Sequence, residues 1–384
     1  MIRRTAIWIG AIVFSLAGMV QAEVKIIPEL VDVDPKQETL ISLELNDVTI
    51  EAAFDTLCAL SRVPCRVDAP TPNSAKLISI KFDGIPLAEA LVSIAREGDL
   101  ALGRFNGYLW YEAYRLSANS GASGQGGKWG YAPTSNDGPF CGLLSRVAYY
   151  RSLNLEDPKR ISNSMDVTVV TVPAPQVMIY SCRVSLGVPQ AVDEKGQKLI
   201  ANPLYNDSEF RGPGNNISTD TAGLKVPAAP GEEISELVVS RRLGCVRKFR
   251  RIEIDGADLA QGTAFECDGV QVRLVKMIDR EGLGKEYTLV FRPGKQGPAT
   301  SLLADGTMCA MIDDSGRVMR PLWRSPEESN GEAKVLYRFS PLLPQDGNAL
   351  PAQLVVLLPL EGAIMTPSYK FEHIPLAPVG KKPK

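Results

Sequence analysis

The chain contains a single histidine, His373, and no CxxC pair. Serine and cysteine nucleophiles generally recruit an imidazole, and this one lies near the end of the chain in Tyr369-Lys370-Phe371-Glu372-His373. Strict alternation places Tyr369, Phe371 and His373 on one strand face, so a packed or half-exposed strand residue is expected there rather than a catalytic base. There is no GxSxG elbow, and no glycine-rich phosphate loop follows a strand. Zinc sites usually present closely spaced cysteine and histidine, which are missing too. No cofactor is expected. Net charge is only −2, and the basic residues are scattered among acidic ones rather than gathered in a stripe with aromatics, which argues against nucleic acid as a partner. Beyond residue 22 no apolar run is long and uniform enough to span a bilayer as a helix.

What is present begins with an export signal. Arg3 and Arg4 precede an apolar run from Ala6 to Val20, and the small residues Val20 and Ala22 occupy the positions that a signal peptidase reads. Residues 1–22 therefore read as a cleavable secretory signal peptide. The run is shorter than the roughly 20 residues of a spanning helix, which disfavours an uncleaved anchor. Thr5 and Ala6 do not extend a twin-arginine pattern, so the general secretory route is expected. The expected site of action is the periplasm or the cell envelope.

From Leu40 the pattern becomes structural. Ile41, Leu43 and Leu45 alternate with polar residues, and Ile50, Ala53, Phe54, Leu57 and Leu60 then fall at helical spacing. The same phrase returns 37 positions later, from Ile41 to Ile78, with Ile78, Ile80 and Phe82 followed by Leu87, Ala90, Leu91 and Ile94. Thr49 can cap the first helix, and Pro86 suits the first turn of the second. Cys65 to Val67 and Tyr108 to Tyr111 supply the remaining strands of a β-α-β-β-α-β unit. Tyr108 and Trp110 share one side of the last strand. They are the residues to test as a partner surface, although packing is the commoner role of such side chains.

The phrases ISLELNDVTIEAAFDTLCALSRVPCRVD and ISIKFDGIPLAEALVSIAREGDLALGRFNGYLWY resemble the short N-terminal domain shared by secretins and TonB-dependent receptors. The resemblance covers residues 40–116 and rests on core positions. It implies a docking module that touches other envelope proteins and has no catalysis of its own. Neither a secretin pore domain nor a receptor plug and barrel follows it here.

The seven cysteines are Cys58, Cys65, Cys141, Cys182, Cys245, Cys267 and Cys309. Their odd number leaves at least one unpaired, and an oxidising compartment allows disulfides. Cys58 and Cys65 form the only close pair, on a last helical turn and the start of the next strand. A bridge between them and burial as small apolar thiols are both open.

Residues 117–140 are rich in glycine and serine and read as a linker. Beyond it helical periodicity nearly vanishes. Strand-like runs follow at Met165–Val172, Val177–Leu186, Ile234–Ser240, Phe249–Ile254, Val270–Met277, Tyr287–Arg292, Val335–Ser340, Leu354–Leu360 and Tyr369–Ile374, separated by turn signals. A fainter repeat, Ala191-Val192-Asp193-Glu194-Lys195-Gly196-Gln197 against Met311-Ile312-Asp313-Asp314-Ser315-Gly316-Arg317, suggests two sandwich-like modules. The acidic pairs in these phrases, Asp193 with Glu194 and Asp313 with Asp314, are the most visible carboxylates for acid/base work. Their setting before glycine marks them as turn residues.

The expected fold is thus an α+β N-terminal β-α-β-β-α-β domain followed by mainly antiparallel β in two sandwich-like modules. The divisions are a signal peptide at 1–22, an extension at 23–39, the docking domain at 40–116, the linker at 117–140, and β modules at 141–297 and 298–384. The expected function is non-enzymatic docking of an envelope protein. Its rivals are a carboxylate-dependent envelope hydrolase acting on glycan or peptide, and a signal relay to a membrane regulator.

Overall fold

The computed structural model describes residues 24–32, 34, 36, 38–61, 65–67, 73–105, 113–118, 133–153, 161–174, 177–183, 186–202, 209–211, 218–227, 230–255, 262–280, 284–313, 318–319, 321–339 and 351–376. Among these, most residues lie in strands of several largely antiparallel sheets, with three helices. No helix of the described residues is long and apolar enough to cross a membrane.

The first strand, β1 (Val24–Asp32), occupies what was expected to be a plain extension. It is followed by β2 (Leu40–Thr49), α1 (Ile50–Ser61), β3 (Cys65–Val67), β4 (Leu77–Pro86), α2 (Leu87–Glu97), β5 (Leu100–Phe105) and β6 (Ala113–Ala118). β2 pairs antiparallel with β4, while β6 pairs parallel with β3 and antiparallel with β5. Two strands thus follow α2. The expected strand at Tyr108–Tyr111 falls between them, and residues 106–112 lie outside the described residues.

The 37-residue repeat is realised as a local two-fold axis. Adding the repeat length to one partner of a β2–β4 pair returns another pair of the same ladder. Ile41 opposite Ile85 maps onto Ile78 opposite Val48, and Leu43 opposite Phe82 maps onto Ile80 opposite Leu45. The irregularities obey the same operation. Asp47 and Gly84 both have positive φ, at 51° and 63°. The Asp47 N–H donates to Ser79 Oγ at 3.1 Å and the Gly84 N–H to Ser42 Oγ at 3.0 Å. At the helix starts, Ile50 N–H donates to the Lys76 carbonyl and Leu87 N–H to the Thr39 carbonyl. Each helix thereby gives one of its otherwise unpaired first N–H groups to the start of the opposite strand. Thr49 Oγ1 accepts from Ala52 N–H at 3.2 Å, as an N-cap should. Pro86 stands one position earlier than expected, at the N-cap itself, and makes no side-chain cap.

The remaining elements are β7 (Thr134–Asp137), β8 (Phe140–Leu153), β9 (Ile161–Pro173), β10 (Met178–Arg183), β11 (Gly187–Asp193), β12 (Ile200–Ala201), β13 (Glu209–Arg211), β14 (Ser218–Lys225), β15 (Glu233–Ser240), β16 (Leu243–Asp255), β17 (Ala264–Cys267), β18 (Val270–Arg280), β19 (Gly284–Pro293), α3 (Thr300–Gly306), β20 (Met308–Asp313), β21 (Val318–Met319), β22 (Pro321–Ser329), β23 (Glu332–Phe339), β24 (Pro351–Met365) and β25 (Ser368–Pro375). They form four sheets, with strand orders β12-β14-β9-β8-β7, β11-β15-β25, β17-β18-β19-β23-β22 and β13-β10-β16-β24-β20-β21. β1 adds to the last of these by pairing with β16. All nine expected strand runs coincide with or overlap strands. The turns use the chemistry their geometry demands. Asp268-Gly269 and Asn330-Gly331 each have positive φ at both residues and close two-residue hairpins.

Two large cores lie between β layers. One collects Met165, Val167 and Val169 of β9 with Leu237 and Val239 of β15 and Phe371 of β25. The other collects Leu354, Val356 and Leu358 of β24 with Val272 and Leu274 of β18 and Leu289 and Phe291 of β19. β16 serves both, with Leu243 and Cys245 in the first and Ile252 and Ile254 in the second. Register shifts between Val246 and Phe249 re-phase this strand on the way.

Strand pairing and packing bear on three expectations about organisation. The division at 297/298 is crossed by the β15–β25, β16–β24 and β19–β23 ladders, because the closing strands return to sheets begun by earlier residues. The stretch 117–140 is strand at both ends, in β6, β7 and the start of β8, while 119–132 lie outside the described residues. Nor does the N-terminal unit hang free. Its core continues into Cys141 and Leu143 of β8 and Val170 and Val172 of β9, and Asn136 Nδ2 donates to Glu89 of α2 at 2.5 Å. Helix α3 is an addition that no periodicity announced. It is only seven residues long, too short for an apolar repeat to show.

Candidate functional site

The β2–β4 ribbon turns Ile41, Ile78 and Phe82 toward the helices and buries them. Its opposite face carries Ser42, Glu44, Ser79 and Lys81, with Lys81 Nζ 3.2 Å from Glu44 Oε2. Glu44 and Lys81 are equivalents under the repeat, so this ion pair lies across the two-fold. Leu40 and Leu77, also equivalents, stand at the two ends and are 56% and 62% exposed. Among the described residues β2 and β4 pair only with each other, so each has an open edge. An open edge presents unpaired backbone donors and acceptors to an incoming strand. The two leucines could have been found from the repeat alone, as the positions that begin each strand. Tyr108 and Trp110 lie outside the described residues.

Cys58 is disulfide-bonded. The side chain of Cys65, its expected partner, lies outside the described residues. Cys141, Cys182, Cys245, Cys267 and Cys309 are buried and outside any disulfide. Burial pushes the thiols of Cys141 and Cys309 far up and that of Cys267 up to about 12. Nucleophilic thiols need the opposite shift.

The acidic pair Asp193 and Glu194 is consumed by backbone donors. Asp193 Oδ1 accepts from the N–H groups of Lys195 and Gln197 at 3.0 and 2.7 Å, and its Oδ2 from Gly231 at 2.9 Å. Glu194 accepts from Glu232 and Glu233 N–H at 2.5 and 2.9 Å. These bonds, that from Glu233 foremost, hold the Glu194 carboxyl below its usual range. A Cβ on Gly231 would lie 1.8 Å from Glu194 Oε2, so only glycine lets the carboxylate reach these donors. The pair closes a turn against the start of β15. Asp314 and the side chain of Asp313 lie outside the described residues.

His373 departs from the expected alternation. Tyr369 and Phe371 are buried, but His373 has φ of 52° and its side chain is 77% exposed. The left-handed backbone at this position turns it off the core face, and Nδ1 lies 3.2 Å from Glu233 Oε1.

The buried polar cluster that the sequence did not disclose lies in the core between β9, β14 and β25. Arg241 Nη2 is 2.7 Å from Asp220 Oδ2, with both side chains almost fully buried. Burial raises the Asp220 carboxyl to about 6 against the pull of Arg241. Tyr369 stacks over Gly142, where a Cβ would lie 2.4 Å from its ring. Burial raises the Tyr369 phenol, while Thr171 and Arg241 beside it act to lower it. No alternation rule marks a pair 21 residues apart whose meeting depends on a sheet crossing. Among the described residues no three metal-ligating side chains are grouped to hold an ion.

No known family model matches the chain, and no curated protein matches it.

Proposed function

We propose that this chain is an exported envelope protein that docks another envelope protein through residues 40–116, with the sandwich-like β layers as its scaffold. The observation that carries this reading is the two-fold ribbon: open edges on β2 and β4 and the exposed equivalents Leu40 and Leu77. A partner strand adding at such an edge would gain main-chain hydrogen bonds, with the leucines supplying apolar anchors. The module is of the kind found at the N-termini of secretins and TonB-dependent receptors. A non-enzymatic role is supported by the acidic turn, whose oxygens are engaged with backbone N–H groups.

The test is a crosslinking pull-down from intact envelopes with the Leu40→Asp/Leu77→Asp double variant. Deleting residues 40–116 would be a poor substitute, because it would strip the cover from Cys141, Leu143, Val170 and Val172. Loss of one specific captured protein, with an unchanged melting temperature, supports docking by this ribbon. Unchanged capture removes it as the docking surface.

A further inference from the structure

The outer face of the β17-β18-β19-β23-β22 sheet is almost completely neutralised by its own ion pairs. Lys334 reaches Glu327 at 3.4 Å, Arg338 reaches Glu286 at 2.6 Å, and Arg292 pairs with Glu332. On the opposite, core-facing side Arg324 donates to the Ala304 carbonyl and lies over the Tyr337 ring. Among the described side chains of this sheet, Arg273 is the cation left over, exposed and without a hydrogen bond or ion pair.

Its surroundings are built by register. Arg273 lies between Ala264 on β17 and Val290 on β19, both small and apolar. The next outward row places Gln271 opposite Glu266. Together with Arg292 and Glu332, which are paired with each other, these residues line a trough of about 440 Å³. That is the scale of a small-ligand site, roughly 300–1,000 Å³. Val290, only 8% exposed, forms its floor.

We infer that this trough binds the free carboxylate end of a short peptide whose last side chain is small and apolar. A guanidinium without a partner matches the two oxygens of a carboxylate in a bidentate fork. Ala264 and Val290, on the same face as Arg273, offer the apolar side chain a contact. Glu266 and Gln271 lie one outward position further along the strands, about 7 Å away. At that distance they meet the N–H groups of the preceding residues, and Glu266 repels a second negative charge. This inference is independent of the docking ribbon and would survive its failure.

The experiment is a ligand-observed NMR titration of the whole protein with N-acetyl-Ala-Ala-Val as the free acid, against the same peptide as its C-terminal amide. The acid is expected to bind with a millimolar or tighter Kd. The amide, and the acid with Arg273→Gln, should each bind about tenfold or more weakly, as loss of a charge-assisted hydrogen bond implies. Lys334→Gln, which removes a neighbouring cation already held by Glu327, should leave the acid's affinity unchanged. Arg273 is exposed, so its replacement is not expected to unfold the sheet. Equal binding of acid and amide, indifference to Arg273→Gln, or no binding at about 10 mM, where a millimolar site would be nearly filled, would each overturn the inference. Binding of inorganic phosphate in preference to the acid would overturn it as well.

Discussion

The two halves of the N-terminal unit, β2 with α1 and β4 with α2, share a plan and differ in what covers them. Their core positions correspond: Ile50 with Leu87, Ala53 with Ala90, Phe54 with Leu91 and Leu57 with Ile94 are all buried. Their outer positions do not. Glu51 and Asp55 on α1 are exposed, whereas their equivalents Ala88 and Val92 on α2 are buried. The reason is the neighbouring sheet, since α2 shares its core with β8 and β9. A helix apolar on two sides is one with two neighbours. The repeated unit thus packs one half against the β8–β9 sheet and leaves the other half, with the ribbon's outer face, toward solvent.

The largest test of this contrast exchanges the characters of the outer positions. Val92→Asp would bury a charge against the β8–β9 sheet and should cost about 4 kcal/mol or more, read as a lower midpoint in urea unfolding. Asp55→Val, its mirror on α1, should change stability by no more than about 0.5 kcal/mol. Similar effects from both would dissolve the distinction between the halves.

The sheet that covers α2 is anchored from its other side by Asp220 and Arg241. Arg241→Met should cost at least about 3 kcal/mol, because it leaves a buried carboxylate without its partner, and adding Asp220→Leu should restore most of the loss. The pH dependence has a definite sign. The folded carboxyl titrates near 6 against an ordinary 3.8, so the folded state binds the proton more tightly. This group's contribution is complete below 3.8 and is lost as pH rises through about 6. Melting curves of Asp220→Asn against the parent between pH 4 and 7 should show that decline removed.

Smaller effects probe the two-fold itself. Thr49→Ala removes the one side-chain cap of the pair and should cost about 1 kcal/mol, with no counterpart at Pro86. Ser42→Ala and Ser79→Ala each remove the acceptor of an equivalent backbone N–H. They should cost about 0.5–1.5 kcal/mol apiece, with Ser79→Ala the larger because Ser79 Oγ also donates to Asp47 Oδ1 at 3.3 Å. A larger loss at Ser42 would show that the halves differ in more than this one hydrogen bond.

Much of the fold was legible where the signal is local. The alternation at Ile41, Leu43 and Leu45, the helical spacing from Ile50 to Leu57 and the nine later runs all correspond to regular structure. Less was legible where a residue breaks its local rule. His373 sits in a clean alternation and yet turns to solvent through a left-handed φ. β1 contains Pro28, which disguises a strand. It is held by pairing with β16 and by Arg250, whose Nη1 donates to the Pro28 carbonyl at 2.5 Å. Of the candidate sites, the turn role of Asp193 and Glu194 could be read from the glycine that follows. Their donors Gly231, Glu232 and Glu233 could not, lying about 38 residues away along the chain.

By itself the sequence determined the periodicities, the turn residues and, through the 37-residue repeat, the internal symmetry of the β2–β4 ladder. Each of these is settled by sterics and solvation within a few residues or by duplication of such a segment. Only the tertiary structure decided that β16 would pair with β24 at a sequence separation of 98 residues or more, that α2 would be covered on both sides, and that Arg273 would be the cation left without a partner. Those outcomes depend on which apolar faces and strand edges meet once the chain closes on itself. No window along the chain contains both members of such an encounter.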